Sequence, residues 1–174
     1  WEHRVDRPER QRQSEGIKVA MEISELLKPE GVVSNLRATS KKQALQDLAK
    51  RAAVVAGLDE RLIFDVLLER ERLGTTGVGV GIAIPHGKLA DLDCLHGVFA
   101  RLERAIDFDA IDEQPVDLIF LLLAPESAGA DHLKALAGVS RMLRDKAFCE
   151  KLRETDNAEA LYALLANSAS SRAA

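Results

Sequence analysis

Aromatic side chains are scarce: one tryptophan, one tyrosine and five phenylalanines make up 4% of the 174 residues. So few rings argue against a base-stacking surface for nucleic acid. An excess of one charge is missing too. Lysine and arginine (24) nearly balance aspartate and glutamate (28), the formal net charge is -4, and the two signs are well mixed. Neither nucleic acid nor an anionic membrane is expected as a partner. Cysteine is limited to Cys94 and Cys149, with no Cys-x-x-Cys spacing, so reduced thiols are expected and a disulfide or zinc site is not. No apolar run is long: Leu118 to Ala124 falls far short of a bilayer, and the polar N-terminus has no signal-peptide core. These absences predict a cytoplasmic protein without membrane insertion.

The length suits one domain with a substantial core. Residues 1–20 are charged and nearly devoid of core-forming side chains, and Met21 looks like a natural start, so they are read as a disordered leader or an appended extension. Residues 168–174 are small and polar and read as a flexible tail. The folded unit is expected over residues 21–167.

Within it, Val32-Val33 marks a short strand, and Ser40-Lys-Lys-Gln43 is a capping box opening a helix. Ala44, Leu45, Leu48, Ala49, Ala52 and Val55 keep the helical period until Gly57 stops it. Asp59 caps a second helix with Leu62, Ile63, Val66 and Leu67 inward and Gly74 at its end. Ile82–Ile84, Leu95–Leu102 and Val116–Leu123 read as strands, the last buried on both faces because it is almost unbroken Leu, Ile and Phe. Helices follow over 131–143, 147–152 and 158–165. This order predicts a three-layer α/β/α sandwich with a mixed sheet flanked by helices.

The most informative segment is Gly77-Val-Gly-Val-Gly-Ile-Ala-Ile-Pro-His-Gly-Lys88. It is not a phosphate-binding P-loop, which would need Gly at position 82 and Ser or Thr at 89, where Ile82 and Leu89 stand. Nor is it a dinucleotide fingerprint, since its glycines follow a helix and the pattern is incomplete. Instead it delivers His86 between a residue that fixes φ, Pro85, and one that allows close approach, Gly87. Arg70 lies three and four residues beyond Leu67 and Val66, on the inward stripe of the second helix, whereas Arg72 falls on the wet side. A guanidinium there suits a phosphoryl or carboxylate group; an internal ion pair with Asp109 or Glu126 is the alternative. His132 stands in the first turn of the helix after the buried strand, near its apolar face, where it is either a core histidine or a neutral donor to an oxyanion. A metal site from His86, Asp91, Asp93 and His132 matches no known spacing. His96 looks like an ordinary strand position. The chain also lacks a Gly-x-Ser-x-Gly elbow and a context that would activate either cysteine.

Taken with the Leu68-Glu-Arg-Glu71 segment, the Val116-Asp-Leu-Ile-Phe-Leu-Leu-Leu-Ala-Pro125 strand and the Asp131-His-Leu-Lys-Ala-Leu-Ala137 helix start, the Pro-His-Gly string resembles the IIA components of the bacterial phosphoenolpyruvate-dependent phosphotransferase system, fructose/mannitol group. The resemblance covers Met21 to Leu165 and is strongest to the nitrogen-regulatory IIA proteins. It implies that His86 is the phosphoryl acceptor and that Arg70 and His132 line its pocket. It further implies a small HPr-type phosphocarrier as donor, and no metal or organic cofactor. Downstream it implies regulatory targets of the kinase or potassium-transport kind or, alternatively, a sugar-permease IIB domain.

Overall fold

The computed structural model describes residues 23–168. The leader expected over 1–20 and the tail from 168 lie outside these residues, apart from Ser168. The elements are α1 (Ile23–Leu26), β1 (Leu27–Leu36), α2 (Lys41–Ala56), α3 (Glu60–Leu73), β2 (Gly77–Gly79), β3 (Ile82–Ala83), β4 (His86–Leu89), β5 (His96–Ile106), β6 (Val116–Pro125), a 3-10 turn (Glu126–Ala128), α4 (Gly129–Leu143), α5 (Lys146–Glu154) and α6 (Ala158–Asn167).

Six strands form one mixed sheet in the order β1-β5-β6-β3-β2, with β4 also paired to β6. β6 runs parallel to β3 and β4 and antiparallel to β5, and β1 is parallel to β5. Every apolar side chain of β6 from Leu118 to Leu123 is fully buried. Alternation sends them to opposite faces. Ile119, Leu121 and Leu123 pack with α2 and α3, while Leu118, Phe120, Leu122 and Ala124 pack with α4, α5 and α6. That is the expected three-layer sandwich. At about 1.5–3 kcal/mol for each large apolar side chain, β6 anchors both layers.

The helix signals read from the sequence are used, with differences of detail. Ser40 Oγ accepts from the Gln43 backbone N–H as a capping box requires, but Gln43 Oε1 accepts from Thr39 N and not from Ser40 N, so only the return bond is displaced by one residue. Leu62 was expected inward yet is 42% exposed. Ile63 and Leu67 are buried as expected, and Glu71 continues their stripe along α3. β1 extends well beyond Val32-Val33, because its pairing with β5 supplies partners that its charged residues did not advertise.

The glycine string resolves into short strands. β2 and β3 are a hairpin whose two-residue turn, Val80-Gly81, has φ of 53° and 81°. A turn with both central residues at positive φ matches strand twist, and valine is an unusual occupant of the first position. β3 and β4 then pair with β6 in one continuous register, Ile82 with Leu118 and His86 with Leu122. They are one strand interrupted at Pro85, which has no N–H to give to the ladder.

Candidate functional site

Pro85 keeps the interrupted strand in place through its carbonyl, which accepts from Leu122 N at 2.9 Å, while Ile84 N donates to Thr76 O at 3.0 Å. His86 follows as the first residue of β4, half-buried, so it is a strand residue and not part of an open loop. Gly87 lines the cavity beside His86 and serves packing as well: a Cβ there would lie 2.5 Å from Val66 Cγ1, so its bare Cα lets α3 lie against β4. His86 opens β4 and pairs with Leu122, in the carboxyl-terminal half of β6, the side on which open α/β sheets present their ligand crevices. The chain leaving β6 turns once and enters α4, bringing His132 to the same end. The two imidazoles lie 5.7 Å apart, centroid to centroid, at 67°.

The tautomer of His86 follows from its partners. Nδ1 is 2.9 Å from Ile84 O, a carbonyl that can only accept, so Nδ1 carries the hydrogen. Nε2 therefore keeps its lone pair, and Arg70 Nε–H donates to it at 3.3 Å. Arg70 is itself held by a 2.9 Å hydrogen bond from Nη1 to Gly74 O. Of the two carboxylates considered as its ion-pair partners, Asp109 lies 3.6 Å from Lys41 instead. No ion pair of Arg70 is found among the described residues. Its charge is directed at the imidazole and the cavity.

Burial lowers the basicity of His86; the Arg70 charge adds to this, while the hydrogen bond to Ile84 O and the Glu71 charge work the other way. His132 is 5% exposed, and its Nε2 is buried without a hydrogen-bond partner. Its basicity is lowered first by burial, then by His86 and Lys88. Both rings are thus biased toward the neutral form, and His86 presents its Nε2 lone pair.

A cavity of about 660 Å³ opens here, lined by Arg70, His86, Lys88 and His132 with apolar side chains including Val66 and Leu136; Glu69 and Arg72, the latter placed on the wet side of α3 by its spacing, also border it. Leu73 (85% exposed) and Leu133 (69% exposed) flank it on α3 and α4. Cationic and neutral donors at the base with an apolar rim suit an anionic group carried in on a protein surface.

Arg70, His86 and His132 are brought together as expected. Asp91 and Asp93 are exposed and do not line the cavity. Among the described residues, no three His, Cys, Asp or Glu side chains are placed to hold a metal ion. Cys94 and Cys149 are both free. The sequence reading missed Lys88, two residues after His86 on the same strand face, and Glu71, whose helical spacing from Ile63 and Leu67 was the available signal.

The model of the family described as phosphoenolpyruvate-dependent sugar phosphotransferase system, EIIA 2, matches residues 25–168. A nitrogen regulatory protein of Bradyrhizobium diazoefficiens is 58% identical over 146 residues, covering 84% of this chain and 95% of the relative. A fructose-specific EIIA component of Haloferax volcanii is 43% identical over 122 residues, 70% of this chain and 78% of its own. Among solved structures, the nitrogen regulatory protein IIA-Ntr of Neisseria meningitidis superposes with a TM-score of 0.78 at 36% identity, over 82% of this chain and 98% of that one. The chain therefore belongs to the EIIA 2 family of the phosphoenolpyruvate-dependent sugar phosphotransferase system.

Proposed function

We propose that the protein is a phosphohistidine carrier of the nitrogen-regulatory kind. In this reading it takes a phosphoryl group onto His86 Nε2 from the phosphohistidine of a small HPr-type carrier in the cytoplasm. The observation that carries the reading is the pair of bonds on one ring: Nδ1–H to Ile84 O, and Arg70 Nε–H at Nε2. The lone pair that must attack is defined, and a guanidinium already stands at the atom that will bear the phosphate.

In transfer, the Nε2 lone pair forms the new N–P bond as the donor's N–P bond breaks, and the electron pair returns to the donor ring. Charge spreads over the equatorial oxygens of a loose transition state, so positioning and electrostatics do the catalysis. Arg70 passes from Nε2 to those oxygens, and the neutral His132 donates to one of them. Phosphorylation adds roughly -2 charge to a crevice with an apolar rim. Partners that pack an apolar or acidic surface on that rim would bind the unphosphorylated form alone, which makes the site a switch toward regulatory targets of the kinase or potassium-transport type.

Incubation with phosphoenolpyruvate, enzyme I and an HPr-type carrier tests this by mass gain. One phosphoryl group is expected on wild type and none on His86→Ala; phosphate recovered on His132 of the intact protein would overturn the assignment. The relative named as a fructose-specific EIIA component favours a second reading, transfer onward to a permease IIB domain. Rapid phosphorylation of a IIB domain, with no partner retained by either phosphorylation state, would put that reading first.

A further inference from the structure

We infer that Glu71 is a positioning residue for this site: its buried carboxylate holds the turn that orients both the Arg70 guanidinium and the His86 ring. The inference rests on the phosphoryl-carrier reading and extends it to a residue that does not line the cavity. Glu71 ends the buried stripe of α3, with its side chain 3% exposed. Thr76 N donates to both of its oxygens at 3.2 Å and Thr76 Oγ1 donates to Oε1. Lys41 Nζ lies 2.7 Å away and also sits over the Phe108 ring. One carboxylate thus ties the start of α2, the end of α3 and Thr76, the residue before the glycine string.

What it ties leads to the chemistry by two short paths. Between Glu71 and Thr76 lies Gly74, whose carbonyl takes the Arg70 Nη1 hydrogen bond. Beyond, Thr76 O accepts from Ile84 N, and Ile84 O accepts the Nδ1 hydrogen of His86. If the 74–76 turn drifts, the guanidinium loses its anchor, and the carbonyl that selects the His86 tautomer loses its own. A buried ion pair is weak evidence for stability, since well-packed apolar residues often serve as well, but a carboxylate with its donors in place specifies one geometry. Here that geometry is the alignment phosphoryl transfer requires.

The test uses Glu71→Gln and Thr76→Val in the full chain, with three readouts: kcat and KM for transfer from the phosphorylated HPr-type carrier, the 15N shifts of the His86 ring, and the melting temperature. Below the melting transition, kcat is expected to fall about tenfold or more with KM unchanged, and the His86 ring to change from one tautomer to a mixture. Lower melting temperatures with wild-type kcat and a single tautomer in both variants would reduce Glu71 to a structural residue and overturn the inference. Thr76→Val, nearly isosteric, decides should Glu71→Gln not fold. Failure of wild type to accept phosphate would sink the carrier reading instead, while the ring shifts would still test the positioning.

Discussion

Two arginines clip the backbone on either side of Gly77, where the glycine string begins, and only one has its charge neutralised. Arg70, in the last turn of α3, donates to Gly74 O; Arg153, in the last turn of α5, donates to Val80 O at 2.8 Å. Arg153 gives its remaining donors to Asp117 at 2.8 Å and Glu150 at 3.0 Å. Arg70 gives its Nε–H to an imidazole. Equal as clips for the backbone, the two differ in what their charge is free to do. A guanidinium satisfied by carboxylates has little left for a ligand, whereas one balanced by no acid beside a cavity is poised for an anion.

The largest expected effect removes the unneutralised arginine. Arg70→Ala should lose about 2–4 kcal/mol of transition-state stabilisation, by analogy with deletion of one oxyanion donor, while its melting temperature stays near wild type. Rapid-quench transfer from the phosphorylated carrier measures the first quantity and calorimetry the second. Wild-type transfer would break the comparison by making Arg70 another clip.

Arg153→Ala should do the reverse. It orphans Asp117, whose Oδ1 is already buried without a partner, and frees the Val80 turn. With side chains about a quarter exposed, the expected destabilisation is about 1–3 kcal/mol, below that for a fully buried pair. Phosphoryl acceptance per folded molecule should be unchanged. Urea titration beside the transfer assay decides it, and slowed transfer without loss of stability would link the far hairpin to the chemistry.

Legibility in the sequence divides along the same line. The sandwich was readable because β6 is nearly all apolar and the helices carry caps and period; Arg70, His86 and His132 stood out as polar groups on apolar stripes or in a stiff setting. Pairwise satisfaction was not readable. Nothing in the string says that Asp109 answers to Lys41 and not to Arg70, because that depends on a loop more than thirty residues away along the chain. The packing role of Gly87 is hidden for a related reason: its neighbour Val66 is set by helix-on-sheet packing, which no local pattern encodes. Gly87→Ala sharpens the point. It should destabilise by about 1–2 kcal/mol through overpacking, and Val66→Ala in the same chain should recover part of that loss in thermal melts. An unaffected single variant would leave Gly87 with its place in the cavity lining alone.

The smallest effect is in pH. His86 and His132 are both held below the 6.5 of a free imidazole, with burial as the main cause. In the unfolded chain each binds its proton at the ordinary value, so on acidification the unfolded state takes up protons first. Stability is therefore complete above about pH 6.5 and declines as pH falls from there toward the lowered folded values. His96, half-buried near Lys28 and also lowered, contributes in the same direction from outside the site. Urea unfolding at about pH 7.5 and about pH 5.5 should show wild type weaker in acid, with a smaller difference in His86→Gln and His132→Gln. His96→Gln is the matched control: it should remove its own share of the pH dependence yet leave phosphoryl acceptance intact. Equal acid sensitivity in wild type and both site variants would mean that the cavity does not hold its histidines neutral, and the lone pair assigned to His86 would need another explanation.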